Sequence, residues 1–296
     1  MEGGTAMNIR LIFGALLGAA LLSGMALVGP LTREARGDFI LWDSQQMTVN
    51  TTHSQGSLYD TSRAFIVSGG QVSGRLSTYD SSVVDISGGS VNFLDAWNTN
   101  TVNISGGSVN NLTAYETSTV NVNISGGSVY DLSFYGSGTV DISGGSVSNY
   151  LFIHETSTVN ISGGSVEFYM HVYDGGTVDI SAGSVNHLDT HHNGTVDISG
   201  GSVNHLYAGG TSVITFHARD FRTHGGLWLD GDRVLGTGGA LTGEWFDGTS
   251  WAVDIPDNQA TATILVIPEP ATLLLLAMGG LALLRRRRVA PQKDRP

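Results

Sequence analysis

Between Val67 and Leu206 the chain alternates apolar and polar residues in short bursts that recur at a nearly fixed distance. The stretch TVDISGGSVNHL occupies Thr195–Leu206, and TVDISAGSVNHL stands 18 residues before it, at Thr177–Leu188. The tetrapeptide Ile-Ser-Gly-Gly, or a near copy, begins at Val67, Ile86, Ile104, Ile124, Ile142, Ile161, Ile180 and Ile198, at spacings of 19, 18, 20, 18, 19, 19 and 18 residues. Each copy opens with period-two alternation, as in Val196, Asp197, Ile198 and Ser199. That period predicts a strand with one buried face. A Gly pair follows, then Ser-Val, then a second short strand marked by Val109, Leu112 and Ala114 in one copy and by Val129, Leu132 and Phe134 in the next.

In the 19-residue copies the second apolar pair moves one place on, as in Val147, Leu151 and Ile153 or Val166, Met170 and Val172. The extra residue then falls between two core positions, where a corner can bulge. The 20-residue copy adds the dipeptide Val-Asn in TVNVNIS. Two residues keep the alternation in phase, whereas one would turn every side chain to the other face. The second Gly of the pair is present in all eight copies, from Gly70 to Gly201, while the first gives way to Ala182. The second position is therefore expected to need positive φ or close backbone approach, and the first to be tolerant.

A unit of this length cannot bury its own apolar face, but stacked units can. The chain is expected to be all-β, a single-chain parallel β-helix with coils of 18–20 residues. A right-handed solenoid ranks above a left-handed one, because the apolar spacing follows no hexad. Eight coils at about 4.8 Å each would extend roughly 38 Å. The expected organisation is residues 1–37 as signal peptide, 38–66 as an N-terminal cap of irregular coils and 67–208 as the repeats. Residues 209–267 would be a β-rich C-terminal cap containing Trp228, Trp245 and Trp251, and 268–296 a sorting tail.

Composition fits this picture: 41 Gly among 296 residues, and no Cys to build a disulfide framework or a thiolate metal site. The two ends read as addresses. Arg10 precedes the apolar run Leu11–Val28, and small residues at Ala35 and Gly37 suit cleavage before Asp38, as in a secretory signal peptide. The 18-residue run would also serve as an uncleaved anchor. At the other end stand Pro268-Glu269-Pro270, the apolar stretch Ala271–Leu284, and Arg285, Arg286, Arg287 and Arg288. This order of parts resembles the PEP-CTERM sorting signal of Gram-negative bacteria; an ordinary tail anchor is the alternative. The resemblance implies processing near Pro268-Glu269-Pro270 by an exosortase. It also implies transient inner-membrane insertion through the C-terminal helix, with the arginines held in the cytoplasm, and release to the cell surface. Between Asp38 and Pro268 there are 22 acidic and five basic residues, a net charge of 5 − 22 = −17. Nucleic acid is excluded as a partner on that charge.

In a solenoid, function is read down columns of equivalent residues. Asp85, Asn103, Asn123, Asp141, Asn160, Asp179 and Asp197 form one column. It reads as a solvated ladder of amides and carboxylates, with Asp179 and Asp197 as candidate Ca²⁺ ligands. Tyr79, Trp97, Tyr115, Tyr135, His154, Tyr173 and His191 form a second. The rings, above all Tyr79, Trp97, Tyr115, Tyr135 and Tyr173, would either present flat faces to a sugar polymer or stack on one another. Asn186-His187 and Asn204-His205, with His191 and His192 nearby, could hold a transition metal, but the sequence fixes no carboxylate or thiolate beside them, so no metal is assigned. Catalysis is not expected. The coils differ by at most two residues, so no long loop builds a cleft, and Arg75 is the only basic residue between Val67 and Ala208. The expected function is a secreted, surface-sorted structural or adhesive protein of the envelope or extracellular matrix. A carbohydrate-binding protein that grips exopolysaccharide with the aromatic ladder is the alternative, and a polysaccharide lyase or hydrolase a distant third.

Overall fold

The computed structural model describes residues 37–115, 121–258 and 261–268. Within them the chain is all-β, and almost every strand pairs in parallel with its copies one coil before and one coil after. The stacked β-helix is thus the architecture observed. The Thr-Val-Asx-Ile segments stack in strict register: Val140 on Val122, Val159 on Val140, Val178 on Val159, Val196 on Val178. Their apolar members, such as Val178, Ile180, Val196 and Ile198, are fully buried, while Asp197 between them is not. Burying each such Val or Ile contributes roughly 1.5–3 kcal/mol, so the stack is held by its apolar columns.

The extra residue of the longer coils lies where the apolar spacing put it. Val129 pairs with Val147, the register then slips by one, and Asp131 pairs with Tyr150, so that Leu132 still meets Leu151. Between Val166 and Tyr169 the opposite slip returns the chain to an 18-residue coil. The core columns stay aligned through both changes. The 20-residue coil keeps Val102 on Val122 and Ile104 on Ile124.

The Gly pair is the corner between two sides of the coil. From Gly89 to Gly201 the second Gly has φ between +66° and +82°. In the first copy it is Gly69 that carries positive φ (+85°), and Gly70 is held instead by backbone crowding, a Cβ there lying 2.0 Å from the Val49 carbonyl oxygen. The tolerance expected of the first Gly needs correction. A Cβ at Gly144 or Gly163 would lie 2.4 Å from the carbonyl oxygen of the Ser one coil below. Ala182 is admitted there because a single methyl needs only a small backbone shift, not a change of φ.

The opposite corner is also left-handed, and there the residues are mostly not glycine. Asp43, Asp60, Asp80, Asn98, Glu155, Asp174 and His192 have φ of +52° to +67°. Beneath it, small polar side chains are buried, and in several coils they are hydrogen-bonded. Ser82 Oγ donates to Asn100 Oδ1 at 2.7 Å, and Ser157 Oγ lies 2.7 Å from both the Gly136 and His154 carbonyl oxygens, which share its single proton.

The solenoid is longer than the repeat. Phe39–Leu41 pairs in parallel with Gly56–Leu58, and Gln46–Val49 with Arg63–Ile66. Residues 38–66 are therefore regular coils rather than an irregular cap; they lack the Gly pair but keep Val49, Leu58 and Ile66 buried. At the far end Val213–His217 stacks on Thr195–Ile198, and Thr263–Ile267 on Val213–His217, so part of the expected cap continues the stack. The rest of it covers the open end. Arg233–Glu244 pairs antiparallel with both Ser250–Asn258 and Thr263–Ile267, and Arg219–Asp230 pairs antiparallel outside it. Bulges and Arg219 and Arg222 mark that outermost strand, features that discourage edge-to-edge aggregation. Phe216, Trp251 and Trp245 stack over the end of the core, and Trp245 Nε1 donates to the Gly201 carbonyl at 2.9 Å.

Candidate functional site

The aromatic column is real, longer than the sequence suggested, and turned on itself. Trp42 stacks on Tyr59 at 4.0 Å between ring centroids, Tyr59 on Tyr79 at 4.8 Å, Tyr79 on Trp97 at 6.5 Å and Trp97 on Tyr115 at 4.0 Å. It continues through Tyr115–Tyr135 at 6.4 Å, then Tyr135–His154, His154–Tyr173 and Tyr173–His191, each at 4.8 Å. Ring planes are within 20° of parallel throughout. The faces of Tyr79, Trp97, Tyr115, Tyr135 and Tyr173 are therefore spent on one another, and the column does not form the outward platform of flat faces considered above. Trp42 and Tyr59 were missed because their coils lack the Gly pair that sets the repeat frame.

The Asx column is a hydrogen-bonded ladder. Asn103 Nδ2 donates to Asp85 Oδ1 at 2.9 Å, Asn123 Nδ2 to Asn103 Oδ1 at 2.7 Å, and Asn160 Nδ2 to Asp141 Oδ1 at 2.7 Å. Arg63 closes its N-terminal end on Asp85, and His217 its C-terminal end, with Nε2 3.2 Å from Asp197 Oδ1. Burial and the neighbouring Asp197 push the Asp179 carboxyl up. Among the described residues, the one group of three His or acidic side chains close enough to share a metal ion lies elsewhere, so Asp179 and Asp197 lack the further protein carboxylate a Ca²⁺ shell would favour.

That group sits on a third feature, a face built by four successive strands, Ser146–His154, Thr158–Val172, Thr177–Thr190 and Ser202–Ala208. Strand alternation points two positions of each outward, and a third outward position lies at or just past the end of the first three strands. One column is Tyr150, Tyr169, His187 and His205; the next is Phe152, His171, Asp189 and Tyr207; the third is His154, Tyr173 and His191. Tyr169 stacks on His187 and His187 on His205, both at 4.5 Å. Phe152 stacks on His171 at 5.1 Å. Burial pushes His154, His171, His187 and His191 down from the usual imidazole value, while Asp189 pulls His171, His187 and His191 back up. Neutral imidazoles stack without mutual repulsion. The sequence reading singled out His187, His205 and His191 but not His171, although it had aligned the flanking Met170 and Val172. Reading YLFIH, YMHVY, HLDTH and HLYAG down the position after their Leu or Met exposes it.

The tail enters from the last rung. Ile264 and Val266 are buried in the strand Thr263–Ile267, the Val266 N–H donates to the Asp232 carbonyl at 2.8 Å, and Pro268 follows at once. Residues 266–288 match the PEP-CTERM protein-sorting motif. The chain carries a PEP-CTERM sorting signal. The PEP-CTERM motif implies export, sorting to the surface or extracellular space, and processing by an exosortase. It begins inside the folded body, with no linker between the last rung and Pro268. Glu269, Pro270, the apolar segment Ala271–Leu284 and Arg285–Arg288 lie outside the described residues, as does the expected signal peptide up to Arg36. Among the described residues no helix is long and apolar enough to cross a membrane. No curated protein and no solved structure matches the chain.

Proposed function

We propose that the protein is a non-catalytic structural or adhesive β-solenoid displayed on the cell surface or in the extracellular matrix. The carrying observation is the PEP-CTERM motif fused directly to the last rung of a regular solenoid. A rigid rod whose outward columns are bonded to each other suits a spacer or scaffold better than a cleft enzyme. Insertion of Ala271–Leu284 in the inner membrane, stopped by Arg285–Arg288, would hold the chain until the exosortase acts. The test is a deletion strain complemented either with the whole gene or with a copy lacking residues 268–296. Cell aggregation and retained matrix should recover only with the whole gene. Cleavage of matrix polysaccharide by the purified protein would overturn the non-catalytic reading.

A carbohydrate-binding reading is supported at a different place from the aromatic ladder. A groove of about 410 Å³ runs along the coils, lined by Ser73, Asn92, Asn110, Tyr130 and Ser148. Tyr130 is half exposed, and no ring covers it among the described contacts. Polar rungs with one free ring offer hydrogen bonds and a stacking face to a sugar chain. Tyr130→Ser with Asn110→Ala should reduce retention on the cell's exopolysaccharide; unchanged retention counts against this reading.

A further inference from the structure

We infer that His171, Asp189 and His191 form a binding site for a divalent first-row transition-metal ion. Asp189 faces outward near the end of the strand Thr177–Thr190, His191 follows immediately after that strand, and His171 lies on the rung below, paired with Asp189. One ligand atom from each lies within 4.8 Å of the other two, and His171 Nδ1 is 3.6 Å from Asp189 Oδ2. Two ligands bonded tetrahedrally at about 2.0–2.1 Å sit roughly 3.3–3.4 Å apart. Small side-chain rotations therefore close the group on an ion.

Two further observations favour a ligand there. His171 Nδ1 is buried and has no hydrogen-bond partner, although it faces a carboxylate. A buried polar atom is ordinarily satisfied, and an ion would satisfy this one. Both ring planes are also fixed from below, His171 by Phe152 (5.1 Å, 8° between planes) and His191 by Tyr173 (4.8 Å, 10°). Ligands held in place by their surroundings lose little freedom when an ion binds. The donor set decides the class. Two imidazole nitrogens and one carboxylate oxygen suit Zn²⁺, Cu²⁺, Ni²⁺ or Fe²⁺ and are too nitrogen-rich and too few for Ca²⁺. The side chains of His171 and Asp189 remain 16% and 22% exposed, so an ion can enter and keep an outward position for water or a matrix group.

The experiment titrates the whole purified chain with zinc chloride by calorimetry, with magnesium chloride as the control ion. One Zn²⁺ per chain and no Mg²⁺ response are expected. His171→Phe keeps a ring on Phe152 while removing the ligand, and His191→Tyr keeps the third column. Each should weaken Zn²⁺ binding by a factor of about 10 or more, while His187→Phe should leave it unchanged. Equal Zn²⁺ affinity in wild type and a folded His171→Phe variant overturns the site, as does loss of binding in His187→Phe alone. X-ray absorption on the zinc-loaded wild-type chain serves if the variants do not fold. Two imidazoles in the first coordination sphere support the site, and fewer than two overturn it.

Discussion

Trp97 lies flat on Tyr115, their centroids 4.0 Å apart and their planes 10° from parallel. The two rings are one coil apart, and the same relationship recurs up and down the solenoid. An aromatic pair contributes about 0.5–1.5 kcal/mol beyond its buried area. Tyr135 stands between Tyr115 and His154, so it makes two such pairs. Tyr135→Ala should cost about 1–3 kcal/mol, and Tyr135→Phe should cost little because the hydroxyl takes no part in stacking. Urea unfolding of the two variants checks this. An alanine variant as stable as wild type would show that the column contributes nothing.

The Gly-Gly corner gives a sharper contrast. Gly145 has φ +66° and a Cβ there would lie 2.6 Å from the Gly127 carbonyl oxygen. Gly144 is crowded too, with Ser125 O at 2.4 Å, but its φ is ordinary. Gly145→Ala therefore adds left-handed strain of about 1–2 kcal/mol to the crowding that both share. It should lower the melting temperature more than Gly144→Ala. The reverse order in a thermal melt would remove φ as the cause.

The repeat made the fold legible because one chemical rule, an apolar column at each rung, is written eight times with a Gly pair as punctuation. Where the punctuation fails the reading failed as well. Leu41, Val49 and Leu58 are as much part of the apolar columns as Val84 and Ile86, yet nothing in residues 38–66 marks the corner. The candidate site was missed for another reason, since the shift at Val166, Met170 and Val172 already places its coil: the column through Phe152, His171 and Asp189 mixes residue types and shows no chemical repeat. His171 is in register with Phe152 throughout, and with Asp189 after the slip between Val166 and Tyr169. The mutual stacking of the rings could not be read at all, since alternation fixes which side a ring leaves the strand but not how its plane turns.

At the other corner, Glu155 has φ +58°, a conformation that Gly adopts without cost and Glu does not. Gly136 and Gly210 stand in the corresponding corners of other coils with positive φ. Glu155 is exposed, so little packing is at stake. Glu155→Gly should stabilise the chain by about 0.5–1 kcal/mol, or roughly 1–4 °C in melting temperature. Glu155→Val should destabilise it, because a β-branched side chain tolerates positive φ least. Differential scanning calorimetry of the pair reads the sign directly.

Arg75 pairs with Asp95, whose side chain is only 7% exposed while that of Arg75 is 55% exposed. Burial raises the Asp95 carboxyl above its ordinary value, against the opposing pull of Arg75. The folded chain thus holds that proton more tightly than the unfolded chain. Asp95's contribution is fully favourable below the unfolded pKa and is lost as pH rises through the folded one. Arg75 limits that loss at neutral pH. Removing it in Arg75→Gln leaves a largely buried carboxylate without its cation and should cost about 1–3 kcal/mol at pH 7. Below the folded pKa the carboxyl is neutral, so the same substitution should cost much less. Adding Asp95→Asn to Arg75→Gln should recover part of the loss at pH 7, since no charge then remains to be buried. Urea unfolding of wild type, the single variant and the double variant at pH 7 and at acid pH separates these outcomes. An Arg75→Gln loss of equal size at both pH values would mean that Arg75 acts through its guanidinium over the Phe93 ring and not through its pairing with Asp95.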